Sequence, residues 1–250
     1  MKTIAILVLA VCAGAHAAEK SPAVSYGSFK HGRSYYHTVT CDLASGSLSV
    51  KTMHSRQLAP VWSFIAREQP VVALTGTFFN MKSHRPVADV LVDGTLVASG
   101  NRGTAIGVDW LGGVDIFDRP FLTAVDWSRY QFGLRGAIRV VTGGIVQPNP
   151  KAQKFKDARL WGRASRTGLG LTKSGKLVLF ATKGQVTLSE FGKAMKAKGI
   201  RNGVSLDGGT STCMYYNGAM LVSPGRKLCN MLVVSRKTLV ADSSILSIFL

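Results

Sequence analysis

An aspartate ends the apolar run in Val204-Ser-Leu-Asp-Gly-Gly-Thr-Ser-Thr-Cys-Met-Tyr-Tyr-Asn-Gly and opens directly onto two glycines and three hydroxyl side chains. Asp207 is there either as a turn carboxylate that accepts nearby backbone N–H groups or as a reagent beside a ligand. Gly208 and Gly209 allow the backbone to approach a bound molecule closely. Thr210, Ser211 and Thr212 add hydroxyls that donate or accept. Arg102 and Arg166 each open one of two similar segments, and a solvated hairpin charge is the plain reading of each. Asn80 ends a strand-like run in a turn, and Gly143-Gly144 end another.

A mechanism with two carboxylates needs a partner for Asp207. Glu190 is expected in a helix cap and Asp93 in a hairpin turn, which leaves Asp89 and Asp109 open; His84 is a candidate proton carrier. No HExxH, EF-hand or paired-cysteine spacing occurs, so neither a metal nor a cofactor is expected. A serine hydrolase or a nucleotidase has no support either, because the GxSxG elbow and the P-loop are both missing.

These residues have to be held by elements with legible signals. Residues 23–50 alternate short β-type runs with Gly and Ser, and residues 59–68 suggest a short helix closed by Pro70. The run Val-Val-Ala-Leu-Thr-Gly-Thr-Phe-Phe-Asn is a strand entering a turn. Residues 87–98 form a hairpin about Asp93-Gly94. Arg102-GTAIGVDWLGGVDIF and Arg166-TGLGLTKSGKLVLF align with one gap, which predicts two hairpins built alike. Residues 120–162 contain a strand-like Gly-Ala-Ile-Arg-Val-Val-Thr-Gly-Gly, and the polar stretch after it, from Gln147, is expected to cross the site as a loop. Thr187 and Glu190 make a capping box for a helix that Gly199 ends. The strand Val204–Leu206 then delivers Asp207 to a sheet edge.

The chain has 250 residues, 46% hydrophobic and 18% charged, with formal net charge +18. Such a charge attracts anionic partners: phosphorylated or anionic glycan, an envelope surface, or nucleic acid. No like-charge block or RNA-reading aromatic signature supports a specific nucleic-acid site. Residues 1–18 have the layout of a cleavable signal peptide, which implies secretion, in a bacterium to the periplasm. Cleavage would remove Cys12 and leave Cys41, Cys213 and Cys229; one Cys213–Cys229 pair with a free thiol, or three buried thiols, fits that count.

The Asp207 stretch resembles the signature of the phosphodiester glycosidase family, with Asn217-Gly218 as its following turn. Leu74-TGTFFN, Val141-TGGIV, Arg166-TGLGLTKSGKLVLF and Gly225-RKLCNMLVV resemble further family elements in the same order, together covering about residues 70–235. The resemblance implies a hydrolase that separates an anomeric carbon from a phosphate oxygen. Asp207 would be the catalytic carboxylate. Arg166, Arg102, Arg226, Asn80, Gly143, Gly144, Gly208, Gly209, Thr210 and Ser211 would be the substrate contacts. The expected fold is a single α+β domain, a mixed sheet with flanking helices and a glycine-rich site at strand ends. Residues 19–69 would supply N-terminal strands and a short helix, and residues 70–250 the core. The alternative function is a noncatalytic binder of anionic envelope glycan.

Overall fold

The computed structural model describes residues 22–237. The expected signal peptide at 1–18 therefore lies outside the described residues.

Strands that are buried on both faces read as continuous apolar runs, and here they build two stacked antiparallel sheets. The larger sheet follows the order Val24–His31 (β1), Ser34–Cys41 (β2), Leu177–Thr182 (β12), Thr167–Thr172 (β11), Ile200–Ser205 (β13), Tyr130–Thr142 (β9), Val90–Val92 (β5) and Thr95–Ala98 (β6). Ile145–Val146 (β10) and the hairpin Thr104–Asp109 (β7) with Val114–Phe117 (β8) attach to it through β9. The smaller sheet runs Ala219–Val222 (β15), Met214–Tyr216 (β14), Val72–Thr75 (β4), Leu228–Arg236 (β16) and Leu48–Ala59 (β3).

The period-2 alternation of side chains sorts each run between two cores. Val72 and Leu74 of β4, Leu232 and Val234 of β16, and Leu177 and Leu179 of β12 meet between the sheets. Their neighbours face outward. Ala73, Met231 and Val233 pack under the helix Val61–Glu68 (α1), with Phe64 and Ile65. Val178 and Phe180 pack under the helix Leu188–Ala197 (α2), with Phe191 and Met195. The layers are therefore helix, sheet, sheet, helix.

This corrects the expected α+β class and its mixed sheet. Among the described residues 47% lie in strands and 12% in helices, with two α-helices, and the two sheets are antiparallel. Both helices had strong end signals, and the Thr187–Glu190 capping box forms. Each helix, however, only covers the outside of a sheet. Most of the chain is short strands interrupted by glycine, whose pairing partners are distant in sequence. The two aligned segments do form hairpins, β7–β8 and β11–β12. The 59–68 helix and the Asp93-Gly94 turn also form, the latter with φ of 48° and 72°. Cys41, Cys213 and Cys229 are all free and buried.

Phe191 joins α2 to the larger sheet, with ring centroids 6.3 Å from Tyr36 and 6.2 Å from Phe180. A Cβ on Gly168 would lie 2.8 Å from the Phe191 ring, so glycine is what lets that ring sit flat on β11. Phe191→Ala is expected to cost about 3–5 kcal/mol, seen as a lower urea midpoint with an unchanged denaturant slope.

Candidate functional site

The site forms where one strand end from each sheet meets. β4 leaves the smaller sheet through Gly76 and Thr77, and β13 leaves the larger through Leu206 and Asp207. The Asp207 N–H donates to the Gly76 carbonyl at 3.1 Å, and the Thr167 hydroxyl donates to the Asp207 carbonyl. Gly76 is held from behind by Asn230 of β16. The Asn230 side-chain oxygen accepts from the Thr77 N–H at 2.6 Å and its Nδ2 donates to the Thr77 carbonyl at 3.1 Å. A Cβ on Gly76 would fall 2.0 Å from Asn230 Oδ1, so no side chain fits there. Across the turn, the Gly209 N–H donates to the Ser165 carbonyl at 2.7 Å. A Cβ on Gly208 would lie 2.5 Å from that same oxygen. Thr75 Oγ1 completes the frame by donating to the Ser211 carbonyl at 2.5 Å.

Inside this frame the Asp207 side chain accepts from the Gly208 N–H at 2.9 Å. Asp207 is half-buried, and desolvation by the atoms packed around it pushes its carboxyl up to about 6, against the opposing pull of the Ser211 hydroxyl, the Arg226 guanidinium and the Gly208 N–H. The Ser211 hydroxyl favours the anion by proximity but makes no hydrogen bond of normal geometry. Of seven buried side-chain polar atoms without a partner among the described residues, four belong to the segments that build this turn: Thr77 Oγ1, Ser211 Oγ, Thr212 Oγ1 and Arg226 Nε. Unsatisfied buried donors and acceptors are costly, and their concentration here marks a place built to meet something polar.

Arg226 is the cation of the turn. It lies 5.9 Å from the centroid of the Phe79 ring, donates to Thr210 Oγ1, and reaches Met81 Sδ at 2.9 Å. No carboxylate of the described residues forms an ion pair with it. Arg166 differs. It is buried, and its guanidinium donates to the carbonyls of Val186, Leu160 and Gly162 at 3.3, 3.1 and 2.7 Å. It anchors the long loop after β10, which is also fixed where Phe155 meets Phe78 at 5.8 Å. Arg102 is half-buried and makes no side-chain hydrogen bond among the described residues.

Asn80 accepts from the N–H groups of Lys82 and Ser83 at 2.8 and 3.0 Å, which makes it a turn residue, with His84 at φ 58° in the same turn. Gly143 and Gly144 are not brought to Asp207. They form the β9–β10 turn beside Arg201 and Asn202, at the other end of β13, about 16 Å away at ~3.3 Å per residue.

The open carboxylates are also committed elsewhere. Asp89 accepts from the Gly100 N–H at 2.8 Å and from Trp127 Nε1 at 3.0 Å, and Asp109 holds the N–H groups of Leu111 and Gly113 in the β7–β8 turn. Among the described residues no second carboxylate contributes to the shift at Asp207. Thr77 and Asn230 were missed in sequence. The signal for Asn230 was an amide inside the apolar run Leu-Cys-Asn-Met-Leu, since a buried polar side chain in a strand needs partners.

Two sheets, a helix on each outer face and an acid–guanidinium turn at their junction describe a β-sandwich hydrolase. The phosphodiester glycosidase family model matches residues 68–235, and the chain belongs to that family. Its fold is similar to the catalytic domain of zebrafish N-acetylglucosamine-1-phosphodiester alpha-N-acetylglucosaminidase, described as auto-inhibited by its pro-peptide. That match has a TM-score of 0.74 and 19% identity over 87% of this chain and 85% of the zebrafish chain. It is also similar to a hypothetical protein from Synechocystis, with a TM-score of 0.75 and 15% identity over 86% of this chain and 62% of the other. No curated protein matches the sequence.

The geometry sets two stability tests. Asn230→Ala strands the Thr77 N–H and carbonyl and is expected to cost about 2–4 kcal/mol, read from the urea midpoint. Asp207 has a folded value above its ordinary 3.8. Its contribution is thus fully present below pH 3.8 and is lost as pH rises through about 6. At pH 8 the buried charge costs about 1–3 kcal/mol. Asp207→Asn should therefore raise the Tm at pH 8, with the gain disappearing by pH 4.

Proposed function

We propose that this hydrolase cleaves the bond between a sugar's anomeric carbon and a phosphate oxygen in a sugar-1-phosphodiester of envelope or exopolysaccharide material. It would act after secretion, in a bacterium within the periplasm. The observation that carries the assignment is the desolvated carboxylate of Asp207, set beside a guanidinium without an ion-pair partner and a cluster of hydroxyls without partners among the described residues. The family supports the reaction class. The +18 charge supports an anionic substrate and peripheral contact with an anionic envelope surface.

The roles follow from chemistry. A phosphomonoester is a good leaving group, so the C1–O bond breaks without a strong general acid. The demand falls on stabilising the oxocarbenium-like centre left at C1, which a fixed carboxylate meets best where water is excluded. Asp207 takes that role, as electrostatic partner or as nucleophile. Water completes C1, and the departing phosphate carries away the electron pair of the broken bond. Arg226 holds the phosphate, with the Ser211 and Thr210 hydroxyls beside it. Arg166 acts at one remove by fixing the loop that borders the turn. Gly208 and Gly209 supply close backbone approach.

Release of phosphomonoester from a panel of small sugar-1-phosphodiesters tests this directly. Wild type should turn over at least one of them, and Asp207→Asn should lose about 10³-fold or more in kcat while still binding substrate. Equal rates in the two proteins would return Asp207 to the role of a turn. Absence of turnover throughout, with binding retained, would favour the noncatalytic glycan binder.

The pH profile carries a second expectation. Because Asp207 acts as its anion, kcat/KM should rise with pH through about 6. Arg226→Gln removes a charge that favours that anion, so it should move the limb to higher pH and raise KM about tenfold.

A further inference from the structure

A cavity of about 570 Å³ lies apart from the Asp207 turn, between the 118–121 and 147–153 loops beside β9. That size falls in the ~300–1,000 Å³ range of small-molecule sites. Its wall includes Gly103, which packs against Gly136 and Ala137, and Gly136 packs in turn against Thr77. The cavity thus sits one strand away from the turn, on ground the catalytic residues do not use.

Its floor is fixed in advance. Arg139 donates to Asp118 Oδ2 through Nε at 3.1 Å and through Nη2 at 3.0 Å. Thr104 Oγ1 donates to Asp118 Oδ1 at 2.6 Å and accepts from Gln153 Nε2 at 2.7 Å. Gln153 Oε1 in turn accepts from the Arg139 N–H at 3.0 Å. Asp118 accepts three hydrogen bonds in this way, while the Arg139 side chain is only 11% exposed and its Nη1 is buried without a partner among the described residues. That nitrogen is a charged donor in need of an acceptor.

The rim adds chemistry of a particular kind. Arg119 is exposed, stands 5.8 Å from the Phe117 ring, and forms no ion pair among the described residues, leaving the cavity with one net positive charge. Phe121 is 41% exposed and presents an apolar ring, while Gln147 and Asn149 bring amides. An apolar platform, amides and a guanidinium together match the apolar face, hydroxyls and acid group of a charged sugar.

We infer that this cavity is a subsite for an acidic oligosaccharide, taking the glycan chain that carries the scissile sugar-1-phosphodiester. The inference rests on the sugar-phosphodiester assignment of the preceding subsection. It extends that assignment to the class of polymer: one bearing uronate or phosphate groups along its length.

The test is calorimetric binding to the full chain, in wild type and Asp207→Asn protein, of three pentasaccharides: a neutral glucan, a galacturonate and a phosphorylated mannan. At least one anionic probe should bind about tenfold or more tightly than the glucan. Arg119→Ser and Phe121→Ala should each weaken it about 5–10-fold. Arg56→Ser, an exposed charge on the other sheet, removes the same charge from the protein and should change binding less than ~2-fold. Both variants that test the site are at exposed positions, so their effects do not pass through folding. Equal binding of glucan and acidic probes overturns the subsite, as does equal weakening by Arg56→Ser and Arg119→Ser. Preference for galacturonate or for phosphate identifies which acid the site takes. Failure of binding with phosphomonoester release intact sinks the subsite alone. Failure of release with binding intact sinks the catalytic assignment alone.

Discussion

One backbone hydrogen bond joins the two sheets at the place where the chemistry sits. The Asp207 N–H of the larger sheet meets the Gly76 carbonyl of the smaller one. For that bond to form, the strand ends must approach to a distance that leaves no room for a Cβ on Gly76, or for one on Gly208 where the turn presses on Ser165. Asn230 then satisfies the backbone groups that this approach would otherwise strand. The carboxylate is thus positioned by main chain from both sheets, and its orientation is tied to their mutual packing.

This arrangement explains why burial and charge coexist at Asp207. A turn open to water would leave the carboxyl at its ordinary value. Here the half-buried junction raises it against the Ser211 hydroxyl, and the compensating charge is a guanidinium held by weak partners: a hydroxyl, a thioether and an aromatic face. A guanidinium paired to a carboxylate would be better satisfied but less available to a phosphate. Arg166 and Arg135 show the contrasting use of the same side chain. Each is buried, with its donors committed to backbone carbonyls, and each works as a brace for a loop.

Local features were legible in sequence because their causes are local. The Thr187–Glu190 box, the Asp93-Gly94 turn and the paired hairpins each depend on a few adjacent residues. The sheet order does not, since β2 pairs with β12 and β4 with β16 across most of the chain, and periodicity carries no information about such partners. The same limit applied to the site. The Asp207 stretch was identifiable from its glycines and hydroxyls, whereas placing Arg226 above Arg166 required knowing which guanidinium had carbonyls around it. Gly143 and Gly144 carried a plausible pattern at the wrong end of β13.

The three thiols carry a consequence of their own. Burial pushes Cys41 and Cys213 up to about 12 and Cys229 up to about 11, which keeps these three thiols protonated and poorly nucleophilic in the folded chain. Unfolding returns all three to ordinary thiols, which in an oxidising medium cross-link before the chain refolds. Survival time in such a medium would then be set by how slowly the sandwich opens, a rate rather than an equilibrium.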